Sequence, residues 1–250
     1  MRQKLVIGNW KMNGDRTRNA KLIASLAKGL HGHDSCRIVI CPPFPYLLQV
    51  SDGLVNRHIS LGAQNVSQYD QGAHTGEVCA AMLAEMGCAY VLLGHSERRQ
   101  DNRESDAEIA QKFAMALAAG ISPVLCVGES LAQRQADQTE TVVAGQIRSV
   151  IDQLGIAALT GAIIAYEPVW AIGTGETATP QQAQAVHLAI RNLIREYDPA
   201  MAEQLPILYG GSVKADNAAA LFQQDDIDGG LIGGTSLDAE AFIQICRATA

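Results

Sequence analysis

The sequence predicts an α/β fold of the (β/α)8 barrel (TIM barrel) type, eight parallel strands alternating with helices in a single domain over residues 1–250. Three observations predict it. Short β-branched or apolar runs recur at residues 5–7, 38–40, 59–63, 90–93, 124–127, 162–166, 207–209 and 230–232. Helical patterns separate them, which implies right-handed crossovers and a parallel sheet covered on both faces. No G-x-G-x-x-G follows the first run, where Gly8-Asn-Trp-Lys-Met-Asn-Gly14 stands instead, so the signature of an open dinucleotide-binding sheet is missing. Eight units in 250 residues, 48% of them hydrophobic and without a linker rich in Pro, Gly or Ser, fit a closed barrel.

Taken in order, the first run rises through Leu5, Val6 and Ile7 and meets Asn9, Trp10 and Lys11. That apolar stretch is too short for a secretory signal, so the protein is expected in the cytoplasm. Leu22, Ile23, Leu26 and Leu30 then form a helical stripe. Ser105 and Glu108 have the spacing of a capping box, which starts a helix through Ile109, Phe113 and Leu117. The longest uncharged stretch, 113–128, is broken by Gly120, Ser122 and Pro123, so it reads as helix end, turn and buried strand; no membrane span is expected. Val142, Val143, Ile147, Val150, Ile151 and Leu154 make the next stripe. The sixth run stops at Glu167, because Pro168 supplies no N–H and biases the residue before it to extended geometry. Thr179-Pro180 reads as an N-cap and first helical position for a helix carrying Ala183, Val186, Ile190, Leu193 and Tyr197.

Composition narrows the function. The net charge is −7 and no basic block appears, so nucleic acid and anionic membranes are not expected partners; an anionic substrate would need local positive groups. Cys36, Cys41, Cys79, Cys88, Cys126 and Cys246 lack any CxxC pair or His-rich spacing, and read as reduced core residues rather than metal ligands.

In a barrel, chemistry belongs at the C-terminal ends of the strands. There the chain places Asn9 and Lys11, then His95, Ser96 and Glu97, then Glu167, then Gly210, Gly211 and Ser212, and finally Gly233 and Gly234. One face thus gathers a base, an imidazole, a cation and glycine-rich segments whose backbone N–H groups suit phosphate. The loop after Glu167 has bulky Val169 and Trp170 at one end and Gly173 and Gly175 near its tip, a form suited to a lid over a catalytic base.

These segments resemble the triosephosphate isomerase family, essentially from Leu5 to Phe242. The motifs are Gly8-Asn-Trp-Lys-Met-Asn-Gly14, Ala63-Gln-Asn-Val66, Gly94-His-Ser-Glu-Arg-Arg99, Cys126-Val-Gly-Glu129, the run from Ala165 through Glu167 to Gly175, Tyr209-Gly-Gly-Ser-Val213 and Gly233-Gly234. The resemblance implies interconversion of dihydroxyacetone phosphate and D-glyceraldehyde 3-phosphate, in glycolysis and gluconeogenesis, without a cofactor or metal. It implies Glu167 as base, His95 as electrophile and Lys11 and Asn9 as substrate-binding groups. Ser96 and Glu97 are supporting residues, with Glu97 orienting Lys11. Phosphate falls on the backbone at Gly173, Ser212, Gly233 and Gly234, under a lid formed by residues 168–178. The family's usual state implies a homodimer through the loop at residues 72–79. Two positions depart from the family pattern: His74 stands where an aromatic ring is usual, and Thr235 where Ala is common.

Overall fold

The computed structural model describes residues 2–54, 59–172 and 177–249. Its strands are β1 (Leu5–Asn9), β2 (Arg37–Cys41), β3 (Ile59–Ala63), β4 (Cys88–Leu93), β5 (Ser122–Val127), β6 (Ile163–Tyr166), β7 (Ile207–Tyr209) and β8 (Gly229–Ile232). They pair in parallel and in chain order, and β8 returns to β1 to close the barrel. All eight apolar runs are strands, with edges shifted by no more than two residues.

The core has two shells. Inside the barrel, Leu5, Ile7, Val39, Tyr90, Leu92, Val124, Ile163, Ala165, Leu208 and Leu231 pack on one another. The alternate residues, among them Val6, Ile38, Val91, Leu125 and Ile164, face the helices. This is the period-two alternation of a strand buried on both sides, which is why the runs read as continuously apolar.

Several helices begin at side-chain caps. Ser105 caps Asp106–Ala118 with a reciprocal bond to Glu108, and Thr179 caps Pro180–Tyr197 in the same way with Gln182. The stripes at 22–30 and 142–154 fall on Arg16–Gly29 and Thr139–Leu154. Short helices such as Leu47–Gly53 and Ala80–Glu85 carry too few turns to show a periodic stripe, and Pro199–Gln204 is set by Asp198 bonding the N–H groups of Ala200 and Met201.

Closure at β8 rests on one buried carboxylate. Asp228 accepts from Arg191 Nη2 (2.8 Å), Ile207 N (2.9 Å) and Arg2 Nε (2.8 Å). It thereby joins the chain ends before β1, β7 and β8. Arg191, fully buried, also donates to Asp226 at 2.6 Å. Removing one partner of such a network typically costs about 3–5 kcal/mol, because the remaining charge stays buried and unpaired.

Candidate active site

The alternation that builds the barrel interior also delivers the site. Inward-facing Leu5 and Ile7 are followed two residues later by Asn9, Ile163 and Ala165 by Glu167, Leu208 by Gly210, and Leu231 by Gly233. Each is the next residue of inward parity at the C-terminal mouth. These four, with Lys11, His95, Ser212 and Gly234, line a single cavity of ≈ 220 Å³. A larger hollow of ≈ 480 Å³ opens at the opposite end of the barrel, where Arg37 and Asp198 are the charged lining residues among those described. Among the described lining residues it brings together no carboxylate and imidazole, as the smaller cavity does with Glu167 and His95.

His95 arrives by a different route. After inward-facing Leu92, the next inward position is Gly94, which turns at φ +66° and hands the chain to the helix Ser96–Asp101 with His95 as its N-cap. Arg99 holds this turn by donating to Gly94 O (2.7 Å), Cys126 O (3.0 Å) and Asp106 (2.5 Å). The backbone N–H of Glu97 donates to His95 Nδ1 at 3.3 Å, which leaves the ring proton on Nε2. Nε2 lies 3.0 Å from Glu167 Oε1. Burial pulls the imidazole pKa down, but the carboxylates of Glu167 and then Glu97 push it up, and the net displacement is upward.

Glu167 is 2% exposed and its backbone N–H is held by Val127 O at 2.7 Å. Its Oε2 accepts from Ser96 N at 2.8 Å. The His95 N–H is close to Oε1 but poorly aligned, so among the described residues Oε1 has no well-directed donor. A buried carboxylate oxygen left in this state is a competent proton acceptor.

Lys11 has a left-handed backbone, φ +53°, which is strained for a residue other than glycine. Asn9 Oδ1 accepts its N–H (3.0 Å) and Gln64 donates to its carbonyl (2.8 Å), so two strand ends clamp the strain. Its Nζ then reaches Glu97 Oε1 at 2.5 Å.

The glycine segments differ from one another. Gly233 and Gly234 open the one-turn 3-10 segment Gly234–Leu237, whose leading N–H groups lack intrahelical acceptors. Gly210, Gly211 and Ser212 do not lead straight into a helix; the next one, Ala218–Phe222, starts six residues after Ser212. The helix-dipole argument therefore applies to the second segment only. The Thr235 hydroxyl donates to Val213 O at 3.2 Å, so this departure from the family pattern ties the two segments together. Gly210 makes room for Glu167, since a Cβ there would come 2.9 Å from Glu167 Cγ, whereas one on Gly211 would run into the Tyr209 phenol and come 2.9 Å from Pro168 Cγ.

The start of the segment expected to form the lid is anchored by Glu129, which is fully buried. It accepts from Trp170 Nε1 (2.9 Å) and Tyr166 Oη (3.1 Å), while the Arg134 guanidinium lies 4.5 Å over the Trp170 ring. The Thr179 cap holds the far end. The tip at 173–176, with the expected phosphate contact at Gly173, lies outside the described residues. Sequence reasoning missed the roles of Gln64 and Glu129, although both stand in motifs it singled out. It also missed Ile172 and Leu231 on the cavity wall, of which Leu231 is legible from strand parity.

The family profile described as triosephosphate isomerase matches residues 4–249. The chain is similar to a triosephosphate isomerase of Alcanivorax borkumensis, 56% identical over 248 residues that cover 99% of this chain and 98% of that protein. One from Thiobacillus denitrificans is 56% identical over 250 residues, the full length of both. One from Nitrosomonas europaea is 54% identical over 247 residues, 99% of this chain and 98% of that protein.

Proposed function

The chain belongs to the triosephosphate isomerase family, and from that premise we propose that Glu167 is the base, His95 the electrophile and Lys11 and Asn9 the substrate-binding groups of its active site. The enzyme interconverts dihydroxyacetone phosphate and D-glyceraldehyde 3-phosphate, a step of glycolysis. The observation that carries the residue assignment is Glu167 Oε1: buried, without a well-directed donor among the described residues, and 3.0 Å from His95 Nε2 on the wall of the Asn9–Lys11 cavity.

The reaction moves a proton between adjacent carbons. Glu167 takes it from one carbon and returns it to the next, while His95 Nε2–H donates to the substrate oxygens that carry the enediolate charge. With Nδ1 engaged by the Glu97 N–H, a neutral His95 still presents that donor. Lys11 supplies positive charge in a protein of net charge −7, and Asn9, whose Oδ1 is occupied by the Lys11 N–H, offers its Nδ2 donor. Ser96 and Glu97 support Glu167 and Lys11. The backbone at Ser212, Gly233, Gly234 and Gly173 binds phosphate, and closure of residues 168–178 keeps water from the intermediate.

The same reading makes the chain one domain over residues 1–250, cytoplasmic, and a homodimer through the loop at residues 72–79. In that loop the His74 ring stacks on Tyr69 with centroids 3.8 Å apart and planes 1° from parallel, so it fills the place of an aromatic ring. Met12 and Met82, 95% and 51% exposed, offer apolar surface for a partner. Among the described residues no helix is long and apolar enough to cross a membrane.

A coupled assay of glyceraldehyde 3-phosphate isomerisation on Glu167→Gln tests the assignment. The amide keeps the shape but cannot accept the proton, so kcat should fall about 10²–10⁴-fold while a phosphate-bearing inhibitor still binds. Near-normal turnover by the folded variant would overturn it.

A further inference from the structure

A second cluster of chemically active groups sits at the N-terminal mouth of the barrel, at the opposite end from the isomerase site. Cys36, immediately before β2 and 7% exposed, lines a cavity of ≈ 320 Å³ with His33, Asp34, Arg37 and Tyr90. Its Sγ lies 3.5 Å from His33 Nε2 and donates to the Cys246 carbonyl at 3.7 Å. The Cys246 thiol, on the C-terminal helix Ala239–Arg247, also lies against it. We infer that Cys36 is a thiol–disulfide exchange site, with His33 as its proton acceptor and the cavity as the seat for one half of a low-molecular-weight disulfide of the glutathione class.

The surroundings favour the thiolate. The hydrogen bond from the Cys246 thiol, with that from His33 and the charge of the nearby imidazole, outweighs burial and brings the Cys36 thiol down to about 6. Thr249 also bonds the Cys246 carbonyl at 2.8 Å, and Ser35 links Thr249 (3.3 Å) to His33 (3.0 Å), so the ring and the chain end are held over the sulfur. Among the described residues, the other charged groups lining the cavity are Arg37 and Asp34, of opposite sign. Cys41, Cys88 and Cys126 are pushed the other way by burial and stay protonated thiols. Cys246 is fully buried and raised well above the usual range by burial and by Cys36, so it donates to the thiolate and does not itself exchange.

The step balances without another reactant. Cys36 passes its proton to His33, and the thiolate attacks one sulfur of oxidised glutathione. A Cys36–glutathione bond forms, the glutathione S–S bond breaks, and the other glutathione leaves as a thiolate that takes up the proton. Cys36 is oxidised to the mixed-disulfide level as the leaving sulfur is reduced.

The folded protein should be incubated with oxidised glutathione at pH 7 and read by intact mass and peptide mapping. The expected product carries one glutathione, at Cys36, with isomerase activity retained because the catalytic face is at the other end of the strands. Cys36→Ser should remain unmodified and fully active. In His33→Ala the pH–rate profile of attachment should move to higher pH, because the thiolate loses the imidazole beside it. Attachment at Cys79 or any other cysteine, attachment only under conditions that unfold the protein, a Cys36–Cys246 disulfide as the product, or an unmoved profile in His33→Ala would each overturn the assignment. Mapping of the unmutated protein decides the site even if a variant fails to fold.

Discussion

Lys11 Nζ and Glu97 Oε1 stand 2.5 Å apart and join the end of β1 to the helix that follows β4. Lys11 is held in this pairing from both ends, its strained backbone by Asn9 and Gln64 and its ammonium by Glu97. On the proposed assignment, Glu97 positions the Lys11 ammonium at the substrate cavity. Glu97→Gln keeps the shape and removes the charge. Because a misplacement of about 1 Å can cost about 10²-fold, kcat/KM should fall by roughly that factor with the melting temperature little changed. Steady-state kinetics beside a thermal melt decide it, and unchanged kinetics would show that Lys11 needs no partner.

His95 responds to where Glu167 is. In the ligand-free arrangement burial lowers the imidazole pKa, but the Glu167 and Glu97 carboxylates raise it above its ordinary value. Protonation should therefore begin at a higher pH than for an ordinary imidazole as the solution is acidified. Glu167→Gln removes the larger carboxylate influence and should lower that pH. When Glu167 turns to a bound substrate, the Glu97 N–H on Nδ1 and the helix start at Ser96 both disfavour the imidazolium, so the ring should be neutral with its proton on Nε2. Nitrogen NMR of the free protein and its complex with a phosphate-bearing inhibitor measures both. An imidazolium in the complex at neutral pH would contradict the electrophile role.

Gly210 and Gly234 make opposite tests of the glycine segments. A Cβ on Gly210 meets Glu167 Cγ at 2.9 Å and the Tyr166 carbonyl at 3.1 Å, whereas one on Gly234 meets nothing within 4 Å. Gly210→Ala should displace the base and lower kcat about 10–10²-fold, with inhibitor binding nearly retained. Gly234→Ala should fold normally and raise KM, because its Cβ crowds the phosphate cradle. Equal effects of the two changes on kcat and KM would sink the distinction.

Strand parity explains why so much of the site was legible. Asn9, Glu167 and Gly233 each extend an inward-facing row, so recognising the strand almost places the residue. His95 breaks parity, and its placement needs the positive-φ turn at Gly94, which a glycine only permits. Gln64 and Glu129 act through backbone carbonyls, a ring N–H and a phenol from other strand ends, and no spacing along the chain encodes those meetings. The double glycines read as anion cradles or tight turns, because the space that Glu167 needs beside Gly210 exists only once β6 and β7 are paired.

His187 gives the fold a pH dependence separate from catalysis. It is fully buried in the helix Pro180–Tyr197, edge-on to Tyr166 at 5.7 Å, and its Nδ1 donates to Ala183 O at 2.7 Å. Burial is the main cause that lowers its pKa to about 4. An unfolded imidazole titrates near ~6.5, so between those values the unfolded chain binds a proton that the folded one refuses. Stability from this group is therefore fully present above about pH 6.5 and is lost as pH falls toward about 4, by an amount on the order of 3 kcal/mol. Urea unfolding at pH 7.5 and 4.5 should show that loss in the unmutated protein and a smaller one in His187→Gln, whose amide can keep a bond to Ala183 without a titrating proton. If the two proteins lose equal stability over this interval, His187 is not the group that couples the fold to acid.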